Sequence, residues 1–334
     1  MLTRPAQTVT APLRWGILGV SEQVGRKAVL PAFCQSPTAD LVAIASRDSE
    51  RARQEAERFD AGRAYGSYAD LLADPEVEAV YIPLPNALHC AWTIAAARAG
   101  KHVLCEKPLA CTPTEAEEMA STCAAARVVL MEAYMTPFHP RSVRIVELAR
   151  SGALGELRFA RTAFTFPLDD PTNHRWRPEM GGGSLLDVGI YCLAPLLAAA
   201  GQAPADIAAQ AVMADSGVDA SFSGWLGFPG GFNAAFQTSF ETSERQTIEI
   251  AGTEGAIVVD HAFTPSTVDL HIWLTKRDGS DQIVVSEGNN PYLAMVEHFA
   301  AVVRGDESSR RPPAESIALL RLLDRLRAAA VPAH

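Results

Sequence analysis

Two rhythms of apolar and polar residues divide the chain. Through the first 131 residues, short apolar runs alternate with helical runs of mixed character. Leu13–Leu18 (LRWGIL) reads as a first strand, followed by a helical stretch to about Phe33. Leu41–Ser46 (LVAIAS) reads as a second strand, Glu50–Phe59 as a charged helix and Tyr68–Ala73 as a short one. Ala79–Ile82 (AVYI) is a strand ended by Pro83 and Pro85. Asn86 stands where an N-cap belongs for a helix over Ala87–Ala99, with Gly100 at its C′ position. Val103–Cys105, Thr114–Arg127 and Val128–Met131 continue the alternation as strand, helix and sixth strand. Several of these strands are apolar throughout, as strands covered on both faces must be. The pattern predicts a doubly wound parallel sheet, a Rossmann domain over residues 1–133.

From Pro137 the period changes. A helix over Arg141–Ser151 leads into an alternating strand, Leu157–Phe166, and then a glycine run, Gly181–Gly183, precedes an apolar helix from Ser184 to about Ala200. Between Ala208 and Thr275 come period-2 runs such as Phe222–Phe228, Phe232–Phe240, Thr247–Ile250 and Ala256–Val259. Helices over Tyr292–Arg304 and Ile317–Ala329 close the chain. Strands joined by short glycine-containing turns predict an α+β domain over residues 134–334, with a large, open, mainly antiparallel sheet. A length of 334 residues accommodates two such domains.

Charge narrows the partners. With 29 Lys+Arg against 39 Asp+Glu the formal charge is −10, which repels a phosphate backbone and argues against nucleic acid. Ile190–Ala200, the longest apolar run, falls well short of the roughly 20 residues a spanning helix needs. The opening MLTRPAQTVTAP lacks a signal peptide's apolar core and reads as a loose arm. Six cysteines without a Cys-x-x-Cys pair fit reduced thiols in a cytoplasmic protein. Histidines and carboxylates lack the usual metal-ligand spacings, and no Gly-x-Ser-x-Gly elbow occurs.

Between the first strand and first helix lies Gly16-Ile-Leu-Gly19-Val20-Ser21-Glu-Gln-Val-Gly25. A dinucleotide turn needs glycines for close approach to a pyrophosphate and a helix N-terminus facing its charge. Here Gly19 fits the first glycine, Ser21 occupies the second, and Gly25 falls one place late. At the end of the second strand Ser46-Arg47 offers a hydroxyl and a guanidinium suited to a 2′-phosphate, so NADP(H) is expected over NAD. Asp48 complicates this, because a shift of two residues would restore the acidic partner of an NAD site.

Glu106-Lys107-Pro108 follows the fifth strand, at the edge of the expected ligand crevice. Lys107 could polarise a carbonyl or lower the pKa of a nearby acid, with Glu106 orienting it; a surface salt bridge is the alternative. Asp187 and Tyr191, four apart, share one face of an otherwise apolar helix. An acid there needs a function or a partner. It could equally be an internal cap, with Tyr191 a core aromatic. The glycines before it leave room for substrate and cofactor.

The runs RWGILG, AIASRD, AYGSY, DPEVEAVYIPLPNALH, AGKHVLCEKPLA, LMEAYM and GGGSLLDVGIY resemble the glucose-fructose oxidoreductase/inositol dehydrogenase/rhizopine-catabolism (Gfo/Idh/MocA) family. The resemblance is dense from Trp15 to Tyr191 and thins through the C-terminal sheet. It implies an oxidoreductase that moves hydride between a nicotinamide and a sugar, polyol or dihydrodiol substrate. Lys107 would lie near the reacting carbon, Asp187 would bind substrate hydroxyls, and Tyr191 would give or take the proton. Tyr191 is similar to the branch that includes xylose and dihydrodiol dehydrogenases and sugar 3-ketoreductases. A phenol titrates near ~10, so Lys107 would have to lower it for base catalysis near neutrality. Pro83, Leu84, Asn86 and His89 resemble the family's cofactor-flanking loop, though His89 also reads as a helix-surface histidine. Phe138, His139, Arg175 and Trp176 are candidates for the substrate pocket, with ordinary domain packing the alternative. The resemblance also implies a homodimer or higher oligomer, made through the outer face of the large sheet. Two rivals stay open: an NAD(P)-dependent glycosidase of the same fold, and a non-catalytic NADP-sensing regulator.

Overall fold

A computed structural model describes residues 11–21, 25–264, 270–286 and 288–332. Most of the expected N-terminal arm, and Glu22–Val24 within the expected dinucleotide turn, lie outside the described residues.

The first sheet contains β1 (Leu13–Leu18), β2 (Ala39–Ala45), β3 (Arg63–Tyr65), β4 (Ala79–Ile82), β5 (His102–Glu106) and β6 (Leu130–Ala133). Its order is β3-β2-β1-β4-β5-β6, every pair parallel. Helices α1 (Leu30–Gln35), α2 (Ser49–Arg58), α3 (Tyr68–Ala73), α4 (His89–Arg98) and α5 (Pro113–Ala126) connect the strands. All four residues of β4 and of β6 are buried, as the apolar runs required. The order reverses on either side of β1, which opens a crevice at the strands' carboxyl ends.

The second domain has α6 (Pro140–Arg150), β7 (Leu157–Thr165), α7 (Ser184–Ala200), β8 (Asp206–Met213), β9 (Asp219–Gly227), β10 (Asn233–Ser239), β11 (Arg245–Gly252), β12 (Gly255–Asp260), β13 (Leu270–Lys276), β14 (Asp281–Ser286), α8 (Pro291–Arg304), α9 (Pro313–Ala329) and β15 (Ala330–Pro332). Its nine strands run β14-β13-β12-β11-β7-β10-β9-β8-β15 and are antiparallel except at β7–β10 and β8–β15. Helix α7 packs on β7, β9 and β10 and is buried continuously from Ser184 to Leu193. Helices α8 and α9 reach back to α1 and α5, and Phe299 of α8 meets Trp15 of β1 at 4.9 Å between ring centroids. Both domains therefore share one apolar core.

Three local readings change. Asn86 starts a short 3₁₀ turn (Asn86–Leu88) and does not cap α4; its Nδ2 donates to the carbonyl of Gly181, 2.8 Å away in the second domain. The first helical stretch opens with a wider π-type turn over Gly25–Val29 before α1. The sixth strand starts two residues later than its pattern suggested.

Candidate active site

A cleft of about 520 Å³ opens at the carboxyl ends of β1, β2, β4 and β5 and is closed on its far side by the segment between β7 and α7. Gly19, Val20, Ser21, Ser46, Arg47, Pro83, Leu84, Asn86, Glu106, Lys107, Arg175 and Asp187 all line it. Chain segments far apart in sequence thus converge on one space.

Gly19 follows β1 with φ +86°, and a Cβ built there would lie 2.8 Å from Leu84 and 3.1 Å from the Tyr68 hydroxyl. Only glycine leaves that cradle open. Ser21, in the second glycine's place, accepts the Gly25 N–H at 2.8 Å and ties the turn. Asp48 is the N-cap of α2. Its Oδ1 accepts the N–H groups of Glu50 and Arg51 at 2.9 and 3.2 Å, and it does not line the cleft. Arg47 and Arg51 do, with Arg51 also donating to the Val20 carbonyl at 2.9 Å. Among the described residues, the acids lining the cleft are Glu106, Asp170 and Asp187, none of them on β2 or α2.

His89 is fully buried and faces neither cleft nor solvent. Its ring nitrogens lie 2.9 and 2.8 Å from the carbonyl oxygens of Pro108 and Leu84, between the turn after β5 that carries Lys107 and the loop after β4, and the neutral ring donates to one of them. Burial lowers its pKa.

The densest electrostatics surround Asp187, in the first turn of α7. Lys107 Nζ donates to its backbone carbonyl at 2.8 Å and to Oδ1 at 3.0 Å, while Arg175 Nε donates to Oδ2 at 2.7 Å. Burial by itself would raise this carboxyl, but Arg175 and then Lys107 overcome it and hold Asp187 well below the usual carboxylate range. The glycine run before α7 serves this packing. A Cβ on Gly182 would lie 2.4 Å from the Arg175 carbonyl, and one on Gly183, at φ +106°, would lie 2.3 Å from Asp219 Oδ1. The space the glycines leave is filled by the protein's own Arg175 loop and by Asp219, which accepts the Leu185 N–H at 2.7 Å.

Glu106 is buried, accepts the Tyr81 hydroxyl at 2.6 Å and accepts the Lys107 backbone N–H at 3.1 Å. It therefore orients the Lys107 backbone and not its ammonium. Burial raises the Glu106 carboxyl, opposed by Tyr81 and Lys107.

Tyr191, one turn along α7, is packed edge-on against Tyr134 and Phe164 at 5.4 and 5.1 Å. Lys107 Nζ sits over its ring, 5.1 Å from the centroid, and its hydroxyl lies 3.8 Å from Met135 Sδ. The expected lowering of this phenol by Lys107 does not occur: burial pushes Tyr191 well above the ordinary tyrosine value. Tyr191 does not line the cleft.

Of the four substrate-pocket candidates, Arg175 lines the cleft. Phe138 is buried against the His298 ring at 5.2 Å, and His139 caps α6 by accepting the Arg141 N–H at 3.0 Å. Trp176 donates to the Leu168 carbonyl at 3.3 Å and packs on Phe240, which holds the Arg175 loop in place. Sequence reasoning missed Arg51, Tyr68, Asp170, Asn173 and His174, which also line the cleft. Asp170, Asn173 and His174 belong to a polar, proline-punctuated run between an apolar strand and an apolar helix, and that contrast was the available signal.

Comparison with known proteins agrees with this arrangement. The family model for an oxidoreductase family with an NAD-binding Rossmann fold matches residues 13–134, and the GFO/IDH/MocA C-terminal domain model matches residues 143–258. D-xylose 1-dehydrogenase (NADP(+)) 2 of Haloferax volcanii is 38% identical over 318 residues, covering 94% of this chain and 96% of that one. The dTDP-3,4-didehydro-2,6-dideoxy-alpha-D-glucose 3-reductase of Streptomyces violaceoruber is 34% identical over 338 residues, 97% of each. The crystal structure of KijD10, a 3-ketoreductase from Actinomadura kijaniata in complex with NADP and TDP-benzene, aligns with a TM-score of 0.88 at 29% identity, covering 96% of this chain and 98% of that one.

Proposed function

The chain belongs to the GFO/IDH/MocA family of oxidoreductases, and from that premise we propose that it is an NADP(H)-dependent enzyme acting at a carbonyl or hydroxyl carbon of a sugar-like substrate. One observation carries the reading. A single cleft holds Ser46, Arg47 and Arg51 beside β2, and Lys107, Asp187 and Arg175 at the end of β5 and the start of α7.

The cradle over Gly19 and the pair of guanidiniums fit a dinucleotide with a 2′-phosphate. Such a cofactor supplies or accepts the hydride when bound. Lys107, already holding Asp187, orients a substrate oxygen by donating to it, and Asp187 accepts from substrate hydroxyls. Tyr191 is the general acid/base. Because burial raises its phenol, it keeps its proton at neutral pH. That suits it as proton donor to a carbonyl oxygen when the enzyme runs in reduction. Relatives that act on a pentose and on a nucleotide-linked keto-sugar support a sugar-like substrate.

Residues 1–133 form the cofactor domain and residues 134–334 the substrate and dimerisation domain, a boundary supported by the end of β6 at Ala133. The outer sheet face supports a homodimer. Ile283, Trp273, Val258, Glu249, Arg161, Ala235 and Trp225 are register partners in one row across seven strands. Trp273 is 51% exposed and Trp225 42%, an apolar surface at both ends of an Arg161–Glu249 ion pair. Six free thiols accord with a reducing, cytoplasmic setting.

Fluorescence titration with NADPH and NADH, followed by a panel of aldoses and keto-sugars read at 340 nm, tests the proposal. Preferential NADPH binding with turnover of a member of the panel is the expected result. Tight binding without turnover moves the reading to the glycosidase or the sensor.

A further inference from the structure

Glu132 is an acid inside a strand whose every residue is buried, and it is itself 2% exposed. A carboxylate so placed needs several partners to offset its lost hydration, and it has them on both sides of the domain junction. Its Oε1 accepts the Leu109 N–H at 2.8 Å, two residues beyond Lys107. Its Oε2 accepts from Arg311 Nε at 2.9 Å and from Ser316 Oγ at 2.7 Å, and Arg311 Nη2 pairs with it by charge at 2.8 Å, all from the segment that begins α9. A second route leaves the same cluster. The Arg311 guanidinium lies 5.3 Å from the Tyr134 ring centroid, Tyr134 meets the Tyr191 edge at 5.4 Å, and Lys107 Nζ covers Tyr191 at 5.1 Å. One carboxylate thus fixes the turn that carries Lys107 and, through Arg311, the aromatic floor on which the Lys107 ammonium rests.

We propose that Glu132 is a positioning residue: its bridge from Leu109 to Arg311 and Ser316 fixes the Lys107 ammonium against Asp187 and Tyr191. The position of Lys107 is a claim about this chain's own packing. Its value to turnover rests on the function proposed above. Glu132→Gln keeps the side-chain shape and can still accept from Leu109, but it turns an amide N–H₂ toward the Arg311 donors. Glu132→Gln combined with Arg311→Met leaves no buried charge without a partner and serves where the single variant does not fold.

Acetylation footprinting with acetic anhydride, read by peptide mass spectrometry, tests the position directly. Lys107 is nearly buried with two hydrogen bonds, so it is protected in the parent protein. Lys101, which donates to the Asp74 and Val77 carbonyls, reports on folding of the first domain, and exposed Lys276 normalises the reagent. We expect Lys107 labelling to rise about tenfold in either variant, as loss of hydrogen bonding to a charged group implies, while Lys101 stays protected. On a sugar from the panel, kcat should fall about 10- to 100-fold with NADPH affinity unchanged, the cost of a misplaced catalytic group. Lys107 protection equal to the parent in a folded variant overturns the proposal, as does labelling of Lys101 that rises in step with Lys107. If Lys107→Ala retains full turnover, the function assigned to Lys107 fails while the footprint still judges Glu132.

Discussion

Arg175→Met removes one of the two cations that hold the Asp187 carboxylate. The broken contact is short, 2.7 Å, and its side chains are 19% and 9% exposed, so solvent screens it weakly. With an effective dielectric of about 20, a pair at that distance attracts by about 6 kcal/mol. Much of that is cancelled by the hydration Arg175 regains on removal. Breaking a buried pair by deleting one partner costs about 3–5 kcal/mol, and Lys107 remains as a second partner. We therefore expect a loss at the low end, about 3 kcal/mol, or about 1 M in the urea midpoint for a chain of this size. The pH dependence supplies the sharper check. Asp187 is depressed in the folded state, so its contribution is present above the unfolded value near ~3.9 and is lost as pH falls through the folded value. The difference between parent and Met variant should be full at pH 7 and shrink below about pH 4, where the variant's Asp187 protonates first. Urea unfolding followed by tryptophan fluorescence at several pH values measures it. A difference that is absent at pH 7, or constant down to pH 3, refutes the assignment of Arg175 as the main cation on Asp187.

Further outcomes follow from the same geometry. Arg51→Ala and Arg47→Ala should each weaken NADPH by about 10- to 100-fold, as a lost charged hydrogen bond implies, and leave NADH nearly unchanged in fluorescence titrations. Tyr191→Phe should lower kcat by about 10²–10⁴ with NADPH affinity retained. In the parent, reduction should be flat through neutral pH because the phenol is raised, while oxidation climbs with pH. Sedimentation velocity should find the parent a dimer, and Trp273→Glu with Trp225→Glu should give monomer, since each buried tryptophan anchor typically contributes about 2 kcal/mol or more.

Legibility followed burial. The central strands of the first domain were readable because both faces are covered and most of their residues are apolar, and α7 was readable for the same reason. Strand β3 is three residues long and partly exposed, so it carries no period to detect. Asn86 and Asp48 show the limit of local rules. Asn86 sits where a cap belongs, yet a partner 95 residues away claims its side chain; Asp48 sits near the ribose position, yet α2 claims it as a cap. Asp187 announced itself as an acid among apolar neighbours. Glu132 carries the same signal inside an apolar strand, but its partners, Arg311 and Ser316, are remote in sequence and only the fold joins them. Phe138, His139 and Trp176 are aromatic or polar near a boundary, and composition alone does not separate a pocket wall from the packing behind it. The raised Tyr191 phenol depends on burial from every side, which a one-turn spacing on a helix does not encode.

Net hydride transfer is the claim on which the rest depends. The direct measurement incubates the protein with NADPH carrying deuterium at both C4 positions of the nicotinamide and the panel of keto-sugars and aldoses, then follows deuterium by mass spectrometry. Deuterium is expected at the new carbinol carbon of one sugar product, in proportion to NADPH oxidised. Tight NADPH binding with no deuterium in any product would contradict it.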